Sequence, residues 1–141
     1  MRVKVLEKLK KKEVLQKIAE VLSKFEEIEV GYVFGSFLKT EFEDIDIALL
    51  ISKSSPPYKA MKFAMKVGRE IERALKYNFE IDVKILTTSP IYFQYEVIKN
   101  GEIVFCRDKA KWIRYETEVL SNYLDYKDTL GWIDKKLLVR I

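Results

Sequence analysis

Three acids and one turn carry the chemistry open to this sequence. Asp44-Ile45-Asp46 sets two carboxylates two residues apart. In an extended strand such residues face one side, while Ile45 and Ile47 pack behind them. Asp82 lies in the alternating stretch Phe79 to Leu86 and reaches the same point if its strand runs beside the first. Two ionised carboxylates about 5 Å apart repel by roughly 3 kcal/mol at an effective dielectric of about 20, a large cost against a total stability of about 5 to 15 kcal/mol. A bound divalent cation reverses the sign of that interaction. Oxygen ligands without histidine favour Mg²⁺ or Mn²⁺, and Mg²⁺ completes its shell with water and substrate phosphates. The competing reading is a solvent-facing Asp-Ile-Asp strand whose acids pair with nearby lysines.

The context upstream favours a phosphate ligand. The run Ile28 to Phe34 is rich in β-branched and aromatic residues and ends at Gly35-Ser36. A strand that stops at such a turn offers free backbone N–H groups and a hydroxyl to phosphate oxygens. Lys39 follows in the same loop and could contact a β- or γ-phosphate; the alternative is a solvated surface lysine. Lys84 shares the face of Asp82 and reads as a counter-ion for the carboxylates or as a second phosphate contact, the counter-ion being the stronger reading.

The elements that must hold these residues follow from periodicity. Apolar residues recur every three or four positions from about Val5 to Phe25, which predicts an amphipathic helix. A strand at Ile28 to Phe34 precedes the turn, and a second runs from Asp44 to Ile51. A loop at Ser52 to Pro57 leads into a helix over about Tyr58 to Tyr77, and Phe79 to Leu86 is the third strand. Then come a short helix from Ile91 to Lys99, a strand from Glu102 to Cys106, and a helix capped by Asp108 that runs to about Lys127. The order is α-β-β-α-β-α-β-α. Of the aromatic residues of the last third, Tyr92, Phe93, Tyr95, Trp112, Tyr115, Tyr123 and Tyr126, more than half are expected in the core or in helix packing, with exposed members forming a partner interface as the alternative. The tail Thr129 to Ile141 is apolar enough to predict a contact with a partner protein or with a second copy of the chain, a homo-oligomer.

Bulk properties narrow the alternatives. The 141 residues fit one domain with a core of two packed layers. Histidine is absent and there is a single cysteine, which excludes Ser-His and Cys-His nucleophile pairs, His-based zinc sites and internal disulfides. Cys106 is expected to be a small core residue. The net charge of +4 comes from 26 basic and 22 acidic residues mixed along the chain, so nucleic acid is not indicated as a partner. The run Lys8, Lys10, Lys11 and Lys12 reads as a solvated helix face. No stretch has the length of a membrane span or the core of a signal peptide, so a cytoplasmic protein is expected.

A strand ending in Gly35-Ser36, then Asp44-Ile45-Asp46, then Asp82 on a later strand resembles the DNA polymerase β-like nucleotidyltransferase superfamily. Within it the chain is similar to minimal nucleotidyltransferases that act as antitoxins beside HEPN-domain toxins. That likeness extends through Tyr95-Glu96-Val97-Ile98-Lys99-Asn100-Gly101 and the closing helix from Tyr115-Glu116 to Leu124-Asp125-Tyr126-Lys127. The resemblance implies an α/β (α+β) fold, a small mixed sheet packed against helices, as one domain over 1–141. It implies that Asp44 and Asp46 ligate two metal ions, and that Asp82 ligates one of them and helps to activate the attacking hydroxyl. It further implies that Gly35 and Ser36 contact the triphosphate, and that AMP passes from ATP to a tyrosine of the partner toxin. One departure stands out. Only Phe37 to Glu43 separate Ser36 from Asp44, fewer residues than is common in the family, so the connecting helix is expected to shrink to a turn. A nucleotidyltransferase-fold antitoxin that works by binding alone is the alternative that this shortening keeps open.

Overall fold

In the computed structural model, β-branched and aromatic runs form the strands at the sequence-predicted places, and apolar periodicity sets the helices between them. The structure describes residues 4–5, 7–39, 41–42, 44–52 and 55–139, with the backbone alone at 4–5, 41 and 128–139. In chain order these form β1 (Lys4–Val5), α1 (Lys8–Ser23), β2 (Ile28–Phe34), β3 (Glu41–Phe42), β4 (Ile45–Ile51), α2 (Pro57–Ala74), β5 (Ile81–Ile85), α3 (Ile91–Asn100), β6 (Glu102–Cys106) and α4 (Lys109–Val139). The predicted order holds, with one addition. Strands β1 and β3 pair as a short antiparallel ribbon too brief for any periodicity to reveal.

The main sheet has the order β5-β4-β2-β6. β2 runs antiparallel to both of its neighbours, and β4 runs parallel to β5, joined to it through α2. Helices cover both faces, so the core is double where the sequence suggested a single two-layer one. On one face Ile18 and Leu22 of α1 and Val67 and Ile71 of α2 pack on Ile45, Ile47 and Leu49. On the other, Val97 of α3 and Trp112 and Tyr115 of α4 pack on Val30, Tyr32 and Ala48. Tyr95 and Tyr123 stack at 3.8 Å between ring centres, tying α3 to α4. Of the aromatic residues in the C-terminal third, Phe93, Tyr95, Trp112, Tyr115 and Tyr123 pack, as expected, while Tyr92 and Tyr126 are exposed.

Polar anchoring supplements this packing. The buried Tyr32 hydroxyl donates to Glu116 Oε2 at 2.6 Å, and the Trp112 indole N–H donates to the same oxygen. Burial, then the Glu116 carboxylate, holds the Tyr32 phenol neutral far above its ordinary range. Helix α2 ends three residues before Tyr77, because Lys76 and Tyr77 both take left-handed backbone angles and the Tyr77 N–H closes onto the Glu72 carbonyl at 2.8 Å.

Two expectations change. Helix α4 does not stop near Lys127 but continues to Val139. No proline interrupts it, and Gly131 weakens a helix by only about 1 kcal/mol without ending it. Cys106 is exposed rather than buried, since it ends β6, an edge strand. The side chains of the tail from Thr129 lie outside the described residues, as do Glu43, Arg140 and Ile141 in full. Among the described residues no helix is long and apolar enough to cross a membrane.

Gly101, between α3 and β6, shows how tightly the layers meet. A methyl group there would stand 2.5 Å from the Val97 carbonyl oxygen and 3.1 Å from that of Val33, both backbone atoms that cannot swing aside. Gly101→Ala is expected to cost about 1 to 3 kcal/mol, the usual range for overpacking. An unchanged midpoint in urea unfolding would show that the junction yields.

Candidate active site

The site begins where β2 ends. Gly35 adopts φ +73, a left-handed angle that other residues resist, and opens a 3-10 turn over Gly35–Leu38. The turn closes when the Lys39 N–H donates to the Ser36 carbonyl at 2.9 Å. Its preceding residue, Phe34, stands in register with Asp46 on β4. As a result Gly35 lies against the Asp46 carboxylate, and a Cβ on Gly35 would come within 2.5 Å of Asp46 Oδ2. The backbone angle favours glycine, and any side chain there would displace the Asp46 carboxylate. The Ser36 hydroxyl is half-buried and makes a long contact, 3.5 Å, to the Asp44 carbonyl. The connecting helix is reduced to this single turn.

Parallel pairing then brings two acids together. The register sets Asp46 directly beside Asp82, with Ile45 beside Ile81 and Ile47 beside Val83 on the opposite, apolar face. Asp44 immediately precedes β4 and is half-buried. Burial pushes the Asp46 carboxyl above its ordinary range, the negative charges of Asp82 and Asp44 push it further, and Lys84 pulls it partly back. Lys84 Nζ lies 3.8 Å from Asp82 Oδ2, so Lys84 takes the counter-ion place; side-chain exposures of 55% and 52% leave the pair in water. A mutually repelling set of oxygens with no thiol or imidazole fits a hard divalent cation such as Mg²⁺ or Mn²⁺. Among the described residues, however, no three acids already stand close enough to enclose one ion. Asp46 and Asp82 are brought side by side, and Asp44 is adjacent without closing the group.

Lys39 is exposed at the end of the turn, on the loop where the sequence places it. Lys11 is the residue that sequence reasoning missed. Rather than joining the solvated face of its neighbours, its ammonium donates to the Phe37 carbonyl at 2.7 Å and to the Lys39 carbonyl. It also sits 5.0 Å from the Phe37 ring centre and 5.3 Å from that of Phe42. Lys11 therefore fastens α1 to the turn after Gly35-Ser36. With 26 positions between Lys11 and Phe37, no local pattern signals this contact.

Comparison with known proteins bears on the family and the fold. The model of the polymerase beta nucleotidyltransferase family matches residues 16–110, which include Gly35, Ser36 and all three acids. No curated protein sequence matches the chain. Its structure is similar to one from a tri-AMPylated Shewanella oneidensis HEPN toxin in complex with MNT antitoxin, with TM-score 0.67 and 17% identity over 91% of this chain and 98% of that one. A toxin-antitoxin structure with AMP-PNP gives TM-score 0.66 and 17% identity over 88% and 98% of the two chains. The toxin-antitoxin MntA-HepT gives 0.65 and 16% over 90% and 98%. At such identities the likeness is one of fold.

The raised Asp46 carboxyl has a signed consequence for stability. Its ionised form is disfavoured in the folded chain, so stability falls as pH rises from the carboxyl range of the unfolded chain through the higher folded one. With a chelator present at neutral pH, Asp46→Asn should therefore raise stability, by up to about 1 kcal/mol given that water still screens the site. Below both carboxyl ranges the difference should vanish. A variant less stable than the parent at neutral pH, in thermal melts with chelator, would contradict the repulsion.

Proposed function

Because the chain belongs to the polymerase beta nucleotidyltransferase family, we propose that it transfers AMP from ATP to a tyrosine of a cognate HEPN-domain toxin and so acts as the antitoxin. The observation that carries this reading is the register of Asp46 beside Asp82 with Gly35 seated on the Asp46 carboxylate. Further support comes from the AMPylated toxin and the AMP-PNP among the structural neighbours. Both the donor nucleotide and the toxin would be met in the cytoplasm.

Each residue has a part. The backbone N–H groups and hydroxyl of the Gly35-Ser36 turn hold the triphosphate, and Lys39 meets its β- or γ-phosphate. Lys11 keeps that turn in place from behind. Two Mg²⁺ or Mn²⁺ ions held by Asp44, Asp46 and Asp82 would supply charge stabilisation at the attacking and leaving oxygens. The acceptor tyrosine oxygen attacks the α-phosphorus and gives its proton to Asp82. The new O–P bond forms as the bond from the α-phosphorus to the bridging oxygen breaks, and pyrophosphate leaves with that electron pair. Lys84, with its Nζ 3.8 Å from Asp82 Oδ2, places a positive charge beside the group that takes the proton.

A second reading, neutralisation of the toxin by occlusion alone, is favoured by the seven-residue link Phe37 to Glu43, at whose start a 3-10 turn over Gly35–Leu38 stands where a helix is common. A displacement of the phosphate-binding turn by even about 1 Å would slow transfer by about a hundredfold and leave binding intact. Incubating the protein with Mg²⁺, ATP and the product of the adjacent gene, then weighing that product intact, separates the two. Adenylate-sized mass steps are expected, and Asp44→Asn or Asp46→Asn should slow them by at least about a hundredfold. An unmodified product that is bound and inhibited would establish occlusion instead.

A further inference from the structure

Strand β5 carries Asp82 and is also an edge of the sheet. Its hydrogen-bond ladder fixes which groups look outward. The Ile45 N–H donates to the Glu80 carbonyl at 3.0 Å, so in this parallel pair the even-numbered residues of β5 bond to β4 and the odd-numbered ones direct both main-chain groups away from the sheet. At one end the Ile81 N–H is taken by Glu72 Oε1 at 3.3 Å. At the other the Ile85 carbonyl accepts the Ser89 hydroxyl at 2.7 Å. Between them Val83 offers an N–H and a carbonyl, and among the described residues no group bonds to either.

A groove runs along this edge. Two adjoining cavities of about 220 and 310 Å³ lie between α2 and β5, and Asp82 and Val83 line both. Ala64 and Gly68, one helical turn apart on α2, leave the space open, since side chains of ordinary size there would meet β5. Met61 and Met65 form the outer wall and are more than half exposed, at 53% and 55%. The groove is continuous with the catalytic face, because Asp82 belongs to both.

We propose that this edge is the docking site for the acceptor, which adds an extended segment to β5 as a further strand. The inference rests on the transfer reading above and names how its protein substrate is held. Unpaired main-chain groups select an extended polypeptide, and β-strand addition satisfies them. Side chains of a strand alternate between faces. One residue would therefore enter the trough walled by Met61 and Met65, whose flexible side chains adapt to varied shapes. Its neighbour would stand across from Asp82, with Cβ atoms about 5 Å apart, which carries a tyrosine hydroxyl over the carboxylates. RNA does not suit this groove, because methionines wall it and Arg69 and Lys84 only balance Glu72 and Asp82, so no positive patch awaits phosphates.

The test measures AMP transfer to the adjacent gene's product as its concentration is varied. It compares the parent with the double variant Met61→Glu, Met65→Glu and with Val83→Pro, which spares the ladder to β4 because the Val83 N–H faces outward. The acceptor KM should rise by about tenfold or more in each, equivalent to about 1.4 kcal/mol, while the KM for ATP stays within about twofold. The methionine variant decides the matter should the proline variant fail to fold. Unchanged acceptor KM, or a parallel loss of ATP, overturns the dock. A parent protein that transfers nothing defeats the transfer reading, and the dock is then judged by hydrogen exchange. The Val83 amide of Asp46→Asn should exchange at least about tenfold more slowly with the acceptor protein present. No slowing, or equal slowing by an RNA oligonucleotide, overturns it.

Discussion

Everything in the site depends on one register, that of β4 against β5. Shifting a strand by one residue turns its whole apolar set to the wrong face. Ile45, Ile47 and Leu49 on one strand and Ile81, Val83 and Ile85 on the other are packed against α1 and α2, so the pairing cannot slide without exposing them. The same lock forces Asp46 to stand beside Asp82. Hydrophobic burial on one side of the sheet thus sustains electrostatic repulsion on the other. The apolar side wins because each buried aliphatic side chain contributes about 1.5 to 3 kcal/mol, and the repelling pair remains open to water.

Strand order explains why the acids stay accessible. Helices α3 and α4 cover the second face of the sheet at β2 and at the inner part of β4, through Val30, Tyr32 and Ala48. They do not extend over β5, whose Asp82 and Lys84 remain exposed. A strand that is buried on one face and bare on the other reads as strict alternation, whereas β2, buried along nearly its whole length, does not.

That contrast also measures what could be read from the sequence. The Asp-Ile-Asp triplet, the alternation around Asp82 and the strand that stops at Gly35 are local patterns, and local patterns reveal local structure. The parallel neighbourhood of β4 and β5 was a conditional in the sequence and became a register in the structure. Lys11 gripping the turn and Glu116 holding Tyr32 join positions far apart in the chain, so no spacing announces them. Helix α4 was expected to end near Lys127 but runs on to Val139, since no proline follows to stop it. Cys106 was expected inside because its residue type prefers the interior, while its place at the end of an edge strand decided otherwise.

Gly35 has a consequence for how such a chain can change over generations. Its backbone angle excludes most residues, and a side chain there would have to push the Asp46 carboxylate out of its place. Shortening Asp46 would relieve the crowding but would remove the carboxylate and leave the angle unsatisfied. On the transfer reading, a lineage that loses this glycine is therefore expected to lose the chemistry and keep the scaffold. Descent from an active ancestor to a protein that only binds could then begin with a single substitution at this turn.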